Sequence, residues 1–442
     1  MSGQLKASQG ELTKKMTDMK RICGRIKADI DADWTFIQSR FERYGIGGVM
    51  NESASGKVGN KARICHIESL PCRRFDPLPY CGCIVNPLVP GNQSLFNSDE
   101  MQRALLHQAE QCAALGSRMY AELFTDLADD YQDGGRTYAL LAGRSERPLH
   151  DAIPLRLAGA IHRVVLQGKE PRLARHYPSV GGKPGEDFTP DFIGYMRDHL
   201  EDIEAGLASQ VQTNEVGRSV VPLALSHWLT TFEIEEFDYL EVGASAGLNM
   251  NFDSYYACFG PLRMGDPASE LRFMGDWFAT APHVPRTAAR VVKRRGVDVS
   301  PIDVTNPEDE ARLLSFVWPD QKARLDRLRA AIDVAKTNKP QIDAGSADTW
   351  VAKQLDAPRE RATMVFHSIV WQYLGEDVQR RFKQHLVEAG NAATKKNPLI
   401  WARMEPAGKV ADVRATVWRG TKTPKEYWLA EVGYHGQEMR WL

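Results

Sequence analysis

An apolar stretch, Phe237-Asp-Tyr-Leu240, runs into Glu241-Val-Gly243-Ala-Ser245-Ala-Gly247-Leu-Asn249. A short buried strand that ends in an acid and bends through small residues into a helix has few uses. Glycine lets a ligand or another backbone approach closely, and the first turn of the helix offers unpaired N–H groups. Three chemistries employ such a strand, turn and helix: dinucleotide binding, the nucleophile elbow of serine hydrolases and the adenosyl-cofactor turn. All three stand on an α/β sheet.

The remainder of the chain is read around that turn. Between positions 11 and 44 apolar residues recur at Met16, Met19, Ile22, Ile26, Ile30, Trp34, Ile37, Phe41 and Tyr44, one face of a long amphipathic helix. Such a stripe docks on the protein itself or on a second copy, which makes a homo-oligomer through this helix the expectation. Residues 45–100 are rich in Gly, Pro, Asn and Ser and read as an irregular connector, so 1–100 is an N-terminal extension. Helical spacing resumes near Met101 and recurs in 155–166, in 192–200 after the cap pair Thr189-Pro190, and after Glu215. Residues 101–235 therefore read as an all-helical lid domain. Beyond 236, strand-like runs at 239–242, 362–366, 399–402 and 427–432 alternate with helical stretches at 307–335 and 376–389. This grammar predicts a Rossmann-like α/β domain over 236–442, with a parallel sheet covered on both faces.

Lysine plus arginine (56) nearly equal aspartate plus glutamate (57), so no global field favours nucleic acid or an anionic membrane, and a small-molecule partner is expected. The first residues lack an apolar signal core and no apolar run is long enough to cross a bilayer, so the protein is expected in the cytoplasm. Five of the seven cysteines, Cys23, Cys65, Cys72, Cys81 and Cys83, precede residue 84. Their spacing does not match the paired ligands of structural zinc, so they read as reduced thiols and no metal is expected.

Among the three chemistries, the dinucleotide fingerprint needs glycines where this chain has Gly243, Ser245 and Leu248, and fails at two of three positions. The elbow G-x-S-x-G fits Gly243-Ala-Ser245-Ala-Gly247 letter for letter, with His367 and His435 downstream, which keeps a serine hydrolase with Ser245 as nucleophile in view. Against it, the preceding sequence is helical, offers no strand or oxyanion loop, and leaves Glu241 without a purpose. The adenosyl-cofactor turn, acid-x-G-x-(G/S)-x-G, is filled in register by Glu241, Gly243, Ser245 and Gly247. S-adenosylmethionine has no phosphate, so small residues serve close backbone approach while carboxylates meet its ammonium group and hydroxyls. A binding protein without catalysis is a further alternative, as is a structural βα turn that binds nothing and whose glycines serve close helix–strand packing.

Several motifs carry a resemblance. Thr213-Asn-Glu-Val-Gly-Arg-Ser219, the turn 241–249 with Asp253 and Tyr255, Arg295-Gly296 leading to Pro301-Ile-Asp303, Val317-Trp318-Pro319, Phe366-His367-Ser368 and His435-Gly436 to Trp441-Leu442 resemble an uncharacterised bacterial family, domain of unknown function 2332, over about 103 to 442. The resemblance implies a helical part followed by a domain like the class I S-adenosylmethionine-dependent methyltransferases; the activity, a methyltransferase-like protein acting on a small molecule, is read from the turn and not from the family.

In that reading Glu241, Gly243, Ser245, Gly247 and Asn249 hold the cofactor, Asp298 or Asp303 meets the ribose, and Asp348 or Ser346 meets the adenine. His367, closing the fourth strand, is the candidate general base, against the alternative of a hydrogen-bonded, partly buried histidine. Trp371 and Tyr373 read as core. Asn214, Glu215 and Arg218 point from the lid towards substrate, joined by Glu405 and His435; the bland alternative for Thr213 to Arg218 is a capping box with a Glu215–Arg218 pair.

Overall fold

Among the described residues the apolar periods of 101–208 fold as helices, and the first of these helices starts at Gln93, earlier than Met101. The computed structural model describes residues 93–209, 211–421 and 423–442; the stripe at 11–44, the connector up to 92 and the five cysteines from Cys23 to Cys83 lie outside the described residues. The described residues belong to one compact unit. Its helices Gln93–Ala114, Arg118–Gln132, Ile153–Leu166, Phe188–Asp198 and Leu200–Ala208 turn Leu105, Leu123, Phe124, Leu157, Ile161, Phe192 and Ile203 into a common core. Gly116, at φ +82°, ends the first of them, and Ser117 opens the second, its Oγ accepting from the Tyr120 amide while donating to Asp320 at 2.6 Å. Trp318 from the second half completes this core.

Eight strands form the main sheet: β1 (Glu236–Val242), β5 (Arg290–Asp298), β6 (Gln341–Ala344), β7 (Ala362–Ser368), β8 (Leu399–Ala407), β9 (Val410–Trp418), β10 (Lys425–Val432) and β11 (Arg440–Trp441), in the order β11-β10-β9-β8-β7-β1-β5-β6. A separate small sheet holds β2 (Tyr256–Phe259), β3 (Leu262–Gly265) and β4 (Arg272–Met274). From β6 to β8 neighbours are parallel, the doubly wound order of a Rossmann-like sheet. The fully parallel sheet read from the sequence is corrected at the other end, where β8, β9 and β10 form an antiparallel meander joined at Gly408, φ +77°.

β7 is buried on both faces, as a central parallel strand must be. Met364 and Phe366 join the core that contains β1 and helix Lys322–Asn338, whereas Val365 joins the core made with Phe382 and Leu386. The helix Val220–Leu229, every residue of it buried, lies in the first of these sheet cores rather than in the helical one. The single helix expected over 307–335 is two, Pro307–Ser315 and Lys322–Asn338, because Pro319 cannot continue a helix and biases Trp318 away from helical geometry.

Candidate functional site

Strand order runs from β1 outward to β5 and β6 on one side and to β7 and β8 on the other, so the order reverses between β1 and β7, where a doubly wound sheet opens a crevice at its carboxyl edge. Both motifs expected to matter end there: Glu241 pairs in register with Phe366, and Val242 with His367.

The turn is held by the end of β5. The amides of Gly243 and Ala244 donate to the Val297 carbonyl at 2.9 and 3.0 Å, and the Ser245 amide donates to the Asp298 carboxylate at 2.9 Å. Asp298 also accepts from the Ser300 amide and from Gln212, so the turn and the helical part share one carboxylate. Gly243, Ser245 and Gly247 all adopt positive φ, +72°, +53° and +70°. Serine is strained there, and its buried Oγ has no hydrogen-bond partner.

The small residues are not bare main chain. A Cβ at Gly243 would stand 2.6 Å from Val370, one at Gly247 2.8 Å from Pro340, and one at Gly296 2.6 Å from Ala244. Close packing is thus one reason for the glycines, and the open backbone expected at Gly243 is covered. The cover is Val370, which follows Ile369 at φ +50°, an unusual value for a β-branched side chain. Its amide and that of Trp371 donate to Glu405 at 3.2 and 3.3 Å.

Glu241 is 2% exposed, and its one hydrogen bond is the weak contact from the Tyr239 hydroxyl at 3.3 Å. Burial pushes its carboxyl up to about 8, opposed by the Tyr239 hydroxyl and the positive charge of Arg218. Arg218 of the 213–219 motif acts on it through space, and the motif is tied to the turn that follows Glu241. Asn214 accepts from the Leu248 amide at 3.1 Å, and Asn249 accepts from Ser219 at 2.7 Å. Each of these buried asparagines uses its carbonyl, and neither amide nitrogen has a hydrogen-bond partner among the described residues.

Glu215 does not pair with Arg218. It is bound by Arg324 at 2.6 Å, with His435 Nδ1 at 3.2 Å, and accepts the Gly217 amide at 3.2 Å, which caps the turn Val216–Ser219. These partners hold its carboxyl far below the usual range despite burial. Arg218 instead donates from Nε to the Tyr434 carbonyl at 3.0 Å. Glycines make this possible: a Cβ at Gly217 would stand 2.1 Å from the His435 carbonyl, and one at Gly436 2.1 Å from the Gly217 carbonyl. Two backbones touch, bringing His435 to Glu215 and Tyr434 to Arg218.

His367 is 1% exposed, and both its ring nitrogens are occupied. The Trp401 indole donates to Nε2 at 3.0 Å, so Nδ1 carries the proton and donates to Glu405 at 2.6 Å. The ring also stacks on Trp371, centroids 5.4 Å apart. This corrects the expectation of a free general base: His367 pins Glu405, and Glu405 pins the segment that carries Val370. Trp371 packs with Phe382 and Trp401, while Tyr373 is 74% exposed rather than core.

Two expected cofactor residues stand apart. Asp348 is fully buried and bound by Arg381 and by its neighbour Ser346, an N-terminal helix acid with its oxygens occupied. Asp303 accepts from the amide and hydroxyl of Thr305 and lines a cavity of about 360 Å³ with Ala246, Ile302, Ala335, Pro340 and Ile342. That cavity adjoins the glycine turn on its β5–β6 side. Arg324, Tyr434 and Val370 escaped the sequence reading; the only hint was that a buried Glu215 demands a cation. Among the described residues no group of His, Cys, Asp or Glu could hold a metal ion, and no helix is long and apolar enough to cross a membrane.

Comparison with known proteins gives two findings. The family described as an uncharacterized protein conserved in bacteria (DUF2332) matches residues 102–441. The crystal structure of an S-adenosylmethionine-dependent methyltransferase from Clostridium acetobutylicum is similar at 8% identity and a TM-score of 0.21, over 53% of this chain and 78% of that one. No curated protein matches.

Proposed function

This chain belongs to the DUF2332 family of uncharacterised bacterial proteins, and on that footing we propose that it binds S-adenosylmethionine at the β1–β7 crevice and acts as a methyltransferase-like protein on a small molecule. One observation carries the reading: polar groups with nothing to bond converge where the strand order reverses. They are Glu241 Oε1, the terminal nitrogens of Arg218 and the amide nitrogens of Asn214 and Asn249. None of these atoms is sealed from solvent, so a ligand or water can reach them.

The chemistry suits the cofactor. A cation beside Glu241 favours its carboxylate, and S-adenosylmethionine brings an ammonium and a sulfonium. The cavity beside Ala246 is mostly apolar, with Asp303, Thr305 and Lys339 as its polar lining, which suits a nucleoside. Methyl transfer rests on alignment of sulfur, methyl and acceptor, so few side chains are obligatory. Glu405 and His367 then serve by positioning the loop, and Asn249 and Asn214 by fixing the turn. The serine-hydrolase reading gains the strained, unpaired Ser245, yet no histidine among the described residues hydrogen-bonds to it.

Val370 must yield for a ligand to reach Gly243. Calorimetry with S-adenosylmethionine and S-adenosylhomocysteine should therefore give binding to the wild type, tightened about tenfold in Val370→Ala, which removes the cover at a cost of roughly 1 kcal/mol in stability. Silence from both ligands in both proteins refutes the cofactor assignment.

A further inference from the structure

Resting on the cofactor reading above, we propose that Arg218 receives a carboxylate of the second small molecule, the one that reacts beside the cofactor. The Nε–Tyr434 bond at 3.0 Å fixes the plane of the guanidinium and leaves its two terminal nitrogens without a partner among the described residues. Three carboxylates lie around it, and none hydrogen-bonds to it. Glu215 and Glu405 favour its charge through space, but their oxygens are held by Arg324 and His435 and by His367 and two backbone amides, while burial raises the Glu241 carboxyl to about 8. The half-buried guanidinium thus keeps its terminal N–H groups open. A planar fork with two free N–H groups matches a carboxylate in geometry as well as sign.

Position decides between the two ligands. Beyond Glu215, Arg218 senses the charges of Glu405, in β8, of Tyr373, in the loop after β7, and of Arg324, in the helix Lys322–Asn338. Glu405, Tyr373 and Tyr434, which follows β10 and holds Nε, stand on the far side of β1 from the cavity at β5 and β6, so the guanidinium serves the part of the crevice that the nucleoside leaves free. Tyr373 is exposed, and this edge opens to solvent.

The test uses acetate, malonate, succinate and glutarate as probes in thermal-shift titrations of the full chain, free and saturated with S-adenosylhomocysteine. At least one probe should stabilise the wild type, and its apparent affinity should fall about tenfold or more in Arg218→Gln and less in Arg218→Lys, which keeps the charge but not the fork. S-adenosylhomocysteine affinity should stay within about threefold in both variants. If no probe stabilises the wild type, or all act equally on Arg218→Gln, the proposal is wrong. It is also wrong if Arg218→Gln weakens S-adenosylhomocysteine tenfold and leaves 5′-methylthioadenosine, which lacks a carboxylate, unaffected; Arg218 then holds the cofactor. Should Arg218→Gln not fold, Arg218→Lys decides by the same criteria. Failure of S-adenosylhomocysteine to bind the wild type overturns the cofactor reading, and the probes on the free protein still decide for Arg218.

Discussion

Glu241→Gln should stabilise the protein at pH 8.5 by on the order of 4 kcal/mol and flatten its stability towards pH. In the folded chain Glu241 is 2% exposed with one long hydrogen bond, and burial raises its carboxyl from 4.5 to about 8. Between those values the folded state keeps the proton and the unfolded state has lost it. Folding therefore takes up a proton, and stability falls as pH rises from about 4.5 to about 8, then levels off. Glutamine keeps the shape and never ionises, so the slope disappears. Urea unfolding of both proteins at pH 5.5 and 8.5 reads the effect: a wild type that gains nothing on acidification relative to the variant contradicts it.

Gly243→Val should cost about 3–6 kcal/mol, combining a β-branched side chain at φ +72° with a Cβ placed 2.6 Å from Val370. Thermal unfolding would show it as a collapse of the midpoint, and a midpoint within a few degrees of wild type would mean that Val370 does not cover the turn. The consequence is practical. Loss of ligand binding in Gly243→Val reports unfolding, so access to the crevice is better probed from the other side, through Val370→Ala.

How far such features can be read from sequence depends on what each residue needs to satisfy it. β1, β7, β8 and β10 are runs of apolar and aromatic side chains and announce themselves. β5 does not, because Arg290-Val-Val-Lys-Arg-Arg spends its pattern on cations that only the folded sheet neutralises: Arg294 on Asp253, Arg295 on Asp343. β9 hides in the same way behind Asp412 and Arg414, which bond to each other. The turn at 241–249 was legible because glycine and an acid in register have a local meaning. Its covering by Val370 was not, since 127 positions separate the two, nor was the bond between Glu215 and Arg324, 109 residues apart. Asn214 and Arg218 entered through the family motif rather than through local physics. His367 shows the reverse risk: a polar residue at the right strand end looked like a base, yet Trp401 and Glu405 from the next strand take both nitrogens.

The decisive measurement is calorimetric titration of S-adenosylmethionine into the wild type and Glu241→Gln at pH 7, in two buffers of different ionisation enthalpy. A cation seated against Glu241 should expel the proton that burial retains, so the wild type should release close to one proton more than the variant on binding. The ligand's own ionisation is common to both proteins and cancels. Equal proton release in the two, or no binding in either, would mean that the crevice beside Glu241 is not where a cationic adenosyl ligand lies.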